Sequence, residues 1–150
     1  MSVQALEIPL ITDDDHRFNL IARLPPQAHR SVLWLPALGV AAKHYLPLAE
    51  ALAAHGVAVF LHEWRGNGSS NVHASREMDW GYREILTLDL PCSHAAIARH
   101  CDAPVGAIGG HSIGGQFAAC YLALHPAAFQ ELWLVATGLV ERSEMAEVKK

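Results

Sequence analysis

The sequence predicts an α/β protein: a doubly wound, mostly parallel sheet that opens with an antiparallel hairpin. Three observations carry this. Short apolar runs suited to buried strands alternate along the chain with stretches of helical spacing. The first two strand-like runs are joined only by an acidic turn, which pairs them antiparallel at the sheet edge. No internal repeat or low-complexity linker divides the 150 residues, a length that suits one compact domain or a piece of a larger one.

The elements follow in order. Residues 6–12 and 18–24 read as the hairpin strands, with Asp13, Asp14 and Asp15 as the turn and Pro25-Pro26 as the stop. Residues 31–35, SVLWL, form a short apolar run that fits a buried strand. After a loop over 36–42, residues 43–55 read as a helix. Tyr45, Leu48, Ala49, Leu52 and Ala53 recur at helical spacing, Pro47 falls in the first turn, and Gly56 stands at the C-terminal stop. Residues 57–62 form the next strand and 63–79 a loop rich in Gly, Asn and Ser. Residues 80–100 are helical in pattern, but Pro91 interrupts them and predicts a kink or a restart capped by Asp89. A strand over 105–109, a helix over 112–125 and a strand over 132–136 complete the order β-β-β-α-β-α-β-α-β, with right-handed crossovers at the parallel steps. The domain is expected to span 1–140, with 141–150 a polar, exposed tail.

Composition excludes several function classes. The chain is 51% hydrophobic, enough for a real core, and its net charge of -4 includes no block of like charges. Neither nucleic acid nor an anionic membrane surface is indicated. Three cysteines without C-x-x-C spacing argue against a disulfide framework or thiolate zinc site and point to a reducing cytoplasm. The N-terminus MSVQALEIPLITDDD has no basic stretch before its apolar residues, unlike a signal peptide. No apolar run reaches the ~18–20 residues of a membrane helix. His62, His73, His94 and His100 show no metal-ligand spacing and read as surface or packing residues. No metal or cofactor is expected.

The sharpest chemical signal is Gly110-His111-Ser112-Ile113-Gly114, a G-x-S-x-G pattern between a predicted strand and a predicted helix. A serine on so tight a turn needs small residues two before and two after it, and Gly110 and Gly114 supply them. Its hydroxyl would project at a helix N-terminus, where an anion is favoured. Ser112 is therefore the candidate nucleophile. Acyl transfer needs two N–H donors for the developing oxyanion. The Ile113 amide is one candidate. The other belongs to the loop Leu35-Pro36-Ala37-Leu38-Gly39, with Leu38 the natural donor and Ala37 or Gly39 the neighbouring options. His111, inside the elbow, points away from the hydroxyl and reads as a packing residue or as one that supports the site from behind.

Three motifs in order, LPALG, Glu63-Trp64-Arg65-Gly66-Asn67-Gly68-Ser69-Ser70 and GGHSIGGQ, resemble the α/β hydrolases of the esterase, monoacylglycerol-lipase-like and serine-aminopeptidase-like group. The resemblance covers roughly residues 6–140. Glu63 stands where that family usually has Asp, and Pro36-Ala37 where its oxyanion loop commonly opens with His-Gly. Arg65, Gly66 and Gly68 are expected to fix a tight loop. The resemblance implies a serine hydrolase of carboxylic esters or related acyl compounds, with a small-molecule acyl substrate. It also implies an acid after the seventh strand and a histidine after the eighth, whereas this sequence reads as the N-terminal part of the fold, ending after the sixth strand. Glu141 is an alternative acid, since a minority of relatives carry it after the sixth strand. His125 lies at the far end of the nucleophile's helix, so the chain alone is expected to be weak or inactive. Two further readings follow: a non-catalytic hydrolase-like binding module, and homo-oligomerisation through the open sheet edge.

Overall fold

A computed structural model describes residues 2–72 and 81–137, and within them a six-stranded sheet carries the fold. β1 (Gln4–Ile11) and β2 (Arg17–Leu24) pair antiparallel from Gln4↔Leu24 to Ile11↔Arg17, as predicted. In their turn the Thr12 N–H donates to the His16 carbonyl (2.9 Å) and the Asp15 N–H to the Thr12 carbonyl (3.0 Å). Asp15 takes a φ of 64° there, which aspartate tolerates better than most residues. β1 is an edge strand, a place that accepts the missing N–H of Pro9.

β3 (Arg30–Leu35), β4 (Val57–Leu61), β5 (Val105–His111) and β6 (Glu131–Val135) complete the sheet in the order β1-β2-β4-β3-β5-β6. β2 meets β4 antiparallel, and β4-β3, β3-β5 and β5-β6 are parallel. β4 is buried along its whole length and β3 nearly so, because helices cover both faces. α1 (Leu46–Ala54) lies on one face, where Ala49 joins Val32, Trp34, Val59 and Ala107. α3 (Leu90–His100) and α4 (Ile113–Leu124) lie on the other, where Leu90, Ala96 and Phe117 join Leu33, Phe60 and Ile108.

Three elements differ from their predicted form. The helix over 43–55 opens as a 3-10 turn, Ala42–Tyr45, and becomes α-helical only at Leu46 with Pro47 in its first turn. The stretch around Pro91 is a single turn, α2 (Tyr82–Glu84), then a π-helical turn (Ile85–Asp89), then α3 with Pro91 at its start. Pro91 thus marks a restart. Asp89 does not cap it with its side chain. Its backbone is already helical (φ −71°, ψ −50°), running on from the π turn, and its carboxylate is committed to Arg65 and His16 instead. β5 runs on to His111, because Gly110 and His111 still pair with Leu134 and Val135.

Among the described residues no helix is long and apolar enough to cross a membrane. The predicted tail over 141–150, Glu141, His73 and Trp80 lie outside the described residues.

Candidate active site

The site is assembled where β3 and β5, neighbours in the sheet, deliver their C-terminal ends side by side. Their ladder ends at Leu35↔Gly110. Beyond it, β5 gives way to Ser112 and then directly to α4. Ser112 adopts φ 58° and ψ −123°, a backbone conformation that costs a side-chain-bearing residue roughly 1–3 kcal/mol. Local bonds hold it there: its N–H donates to the Val135 carbonyl and its carbonyl accepts the Gly115 N–H, both at 3.0 Å. The side chain is exposed.

The two flanking glycines are required by contact. A Cβ at Gly110 would stand 2.6 Å from the Gly115 nitrogen, and one at Gly114 would stand 2.7 Å from the carbonyl carbon of Leu35. Those neighbours are backbone and cannot swing aside. Gly114 thus presses the first turn of α4 against the end of β3, which brings the loop after β3 close to the elbow.

That loop is held by side chains from three directions. The Trp64 indole N–H donates to the Pro36 carbonyl (2.8 Å), the Ala37 N–H donates to the Tyr45 hydroxyl (2.8 Å), and the Ala42 N–H donates to Glu63 Oε1 (2.9 Å). The other carboxylate oxygen of Glu63 accepts the backbone and hydroxyl hydrogens of Ser69, both at 3.2 Å. A tight turn in the loop, Val40 N–H to the Ala37 carbonyl (3.1 Å), carries Gly39 at φ 77° and leaves Leu38 at its tip, 72% exposed. Leu38 and Ile113 both line a half-open cavity of about 200 Å³, whose apolar wall is Trp64, Tyr82, Ile85 and Phe117. The structure therefore brings Ser112, Ile113, Leu38, Gly110 and Gly114 to one place.

Behind the cavity lies an ionic cluster, buried except at Asp14, that sequence reasoning missed. Arg65 bonds both carboxylate oxygens of Asp89 (2.8 Å each) and both of Asp14 (2.8 and 3.0 Å). Burial opposes the charge on Arg65, yet the two carboxylates raise its pKa overall. The Arg65 guanidinium in turn holds the Asp14 carboxyl down at about 2. Burial also opposes ionisation of Asp89, but hydrogen bonds from His16 and Arg65 outweigh it and its pKa is lowered. His16 reaches Asp89 through Nδ1 (3.1 Å) and the Ser70 hydroxyl through Nε2 (2.9 Å). This Ser70–His16–Asp89 chain has the connectivity of a catalytic triad, but His16 and Asp89 are 0% exposed. The Ser70 oxygen is also occupied by the N–H groups of Gly66 and Val72, both at 3.3 Å. It fastens the β1–β2 turn to the loop after β4. Arg65 is spent on the same task, as expected for a loop-fixing residue. No local pattern reveals the cluster, since His16 and Asp89 lie 73 positions apart.

The family model for serine aminopeptidase, S33, matches residues 26–150. The chain belongs to that family. This S33-type α/β hydrolase matches no curated protein sequence. Among solved structures it is similar to DcsB, solved in complex with a substrate analogue (19% identity, TM-score 0.72, covering 91% of this chain and 46% of that one). It is also similar to the thioesterase domain from the curacin biosynthetic pathway (20%, 0.71, 97% and 52%). An α/β hydrolase from Novosphingobium aromaticivorans is a third (24%, 0.68, 89% and 44%). At these identities the likeness shows the fold. The S33-type chain spans about half the length of the solved structures it matches.

Four histidines have their places elsewhere in the fold. His125 closes the C-terminal end of α4 against Tyr121, about 20 Å from Ser112 along the helix at ~1.5 Å per residue. His111 Nδ1 lies 3.0 Å from the Tyr45 hydroxyl. His62 is buried with Nδ1 on Ser93 (2.8 Å) and no hydrogen-bond partner for Nε2 among the described residues, and burial lowers its pKa to about 4. His94 packs on Phe129.

Proposed function

We propose that this S33-type hydrolase cleaves carboxylic esters or related acyl compounds, with Ser112 as nucleophile and the amides of Ile113 and Leu38 as oxyanion donors. The observation that carries the reading is the strained backbone of Ser112, exposed between a strand end and the first turn of α4. Strain of that kind persists only where the surrounding structure insists on it, and here two backbone-to-backbone contacts at Gly110 and Gly114 do so. The donor assignment is supported by the loop's own bonds. Ala37 spends its N–H on Tyr45, which favours Leu38 over Ala37, and Leu38 lines the same cavity as Ile113.

In this mechanism the serine oxygen attacks the acyl carbon and its proton passes to a base. The carbonyl oxygen takes up negative charge against the two amides, and the leaving group departs protonated. The apolar, aromatic-walled cavity favours a hydrocarbon or aryl acyl group, since a cavity near 150 Å³ already accepts benzene. None of His16, His62, His94 and His125 is placed to take the proton, and Glu141 remains the acid proposed from the sequence. Oxyanion stabilisation without the full triad still gives roughly 10³–10⁴-fold acceleration over water, so slow acylation is expected of the chain.

The test is covalent labelling. Incubated for hours with excess fluorophosphonate, the folded chain should gain one adduct, mapped to Ser112 by tandem mass spectrometry, and Ser112→Ala should gain none. An adduct that survives Ser112→Ala, or none at all on folded protein, overturns the proposal and favours a non-catalytic binding module.

A further inference from the structure

We infer that Tyr45 is a positioning residue of this site: its hydroxyl sets the distance between the oxyanion loop and the nucleophile elbow. The inference rests on the serine-hydrolase reading above. It starts from where the sheet stops. The β3–β5 ladder ends at Leu35↔Gly110, so no sheet hydrogen bond holds Ala37 and Leu38 against His111 and Ser112. The next link across that gap is the Tyr45 hydroxyl. It accepts the Ala37 N–H at 2.8 Å and stands 3.0 Å from His111 Nδ1. Ala37 directly precedes the proposed donor Leu38, and His111 directly precedes Ser112. One oxygen thus spans the neighbours of both reacting parts.

With the Ala37 N–H occupying one lone pair, the Tyr45 oxygen keeps its own hydrogen and a second lone pair, so it hydrogen-bonds His111 Nδ1 as donor or as acceptor and bridges the gap either way. The tyrosine itself is anchored from both sides of the gap. It sits in the last position of the 3-10 turn that leads into α1, with its ring against Trp34 of β3 at 6.1 Å and edge-on to His111 at 6.0 Å. Oxyanion donors act only when placed to within a few tenths of an ångström, and a misplacement of about 1 Å costs as much as 10²-fold in rate.

The experiment compares Tyr45→Phe with the parent chain. The phenyl ring keeps the packing and removes only the hydroxyl. Tyr45→Phe should lower the rate of fluorophosphonate labelling at Ser112 about 10-fold at equal folded fraction, and it should shift the Leu38 and Ile113 amide resonances. His111→Leu should slow labelling as well, and adding it to Tyr45→Phe should cost little more, since both break one link. His111→Asn, whose side-chain amide replaces Nδ1 as hydrogen-bond partner, should restore most of the rate lost in His111→Leu. In the parent chain, imidazole ¹⁵N shifts should show His111 Nδ1 hydrogen-bonded, and Tyr45→Phe should move them. A Nδ1 shift unmoved by Tyr45→Phe overturns the inference, and so does a Tyr45→Phe chain that keeps its labelling rate and its Leu38 amide shift. If the parent never labels but the imidazole and amide shifts behave as stated, the hydrolase reading fails and the tether between the loops stands.

Discussion

Acid should unfold this protein through His62 before its carboxylates titrate. The imidazole is 0% exposed, edge-on to the rings of Phe18 (5.3 Å) and Trp64 (5.2 Å). Burial lowers its pKa from 6.5 to about 4. In the unfolded chain it regains the ordinary value, so between pH 6.5 and 4 the unfolded state binds more protons than the native one. Stability is therefore full above about pH 6.5 and falls as pH drops through this window. At about 1.4 kcal/mol per unit, the gap amounts to about 2 kcal/mol by pH 5 and about 3 kcal/mol by pH 4. Asp89 and Asp14 also have lowered pKa values, and their contribution is lost only at lower pH. Urea unfolding of the parent and of His62→Gln at pH 7.5, 6 and 5 isolates the histidine, because glutamine can still hydrogen-bond Ser93 but does not titrate. The stability difference between the two should move by about 2 kcal/mol across that range in favour of the glutamine chain. A difference that stays constant with pH would refute the assignment of His62 as a neutral, buried base.

Asp89→Asn should cost about 3 kcal/mol in urea unfolding, because it leaves Arg65 buried with only Asp14 as counter-charge; a loss under about 1 kcal/mol would show that the cluster is not the fastener described. Gly114→Ala should slow Ser112 labelling by about 10²-fold, since the new methyl meets the backbone of Leu35 and Pro36 and pushes the oxyanion loop away; an unchanged rate would contradict the contact argument. Ile85→Trp, which fills the cavity, should slow acylation by p-nitrophenyl hexanoate roughly 10-fold more than by p-nitrophenyl acetate, at the scale pockets discriminate methylenes; equal effects on the two esters would remove the cavity from acyl binding.

What the sequence disclosed and what it hid follow from how each feature is encoded. The central strands were legible because 31–35 and 57–62 are continuous apolar runs, and burial on both faces leaves that trace. The elbow was legible because its constraint is local: two glycines flanking Ser112 within five residues. The tight loop after β4 was placed correctly from its glycines, but the work of Glu63 and Trp64 was not, because each reaches a partner 21 and 28 residues away. Asp89 was expected to cap a helix, the local option for an aspartate before Pro91. Arg65, 24 positions earlier, took its carboxylate instead. The 3-10 turn that places Tyr45 was read as the start of the helix, since Tyr45 fits the helical spacing equally well. Local geometry was readable; long-range polar pairing was not.

The central claim is that the Ser112 oxygen faces paired main-chain donors from Ile113 and Leu38. A crystal structure of the fluorophosphonate adduct tests it most directly, because the phosphoryl oxygen stands where the oxyanion would form. The account predicts that oxygen about 2.7–3.1 Å from both amide nitrogens. A phosphoryl oxygen turned to solvent, or an adduct carried by another residue, would contradict it.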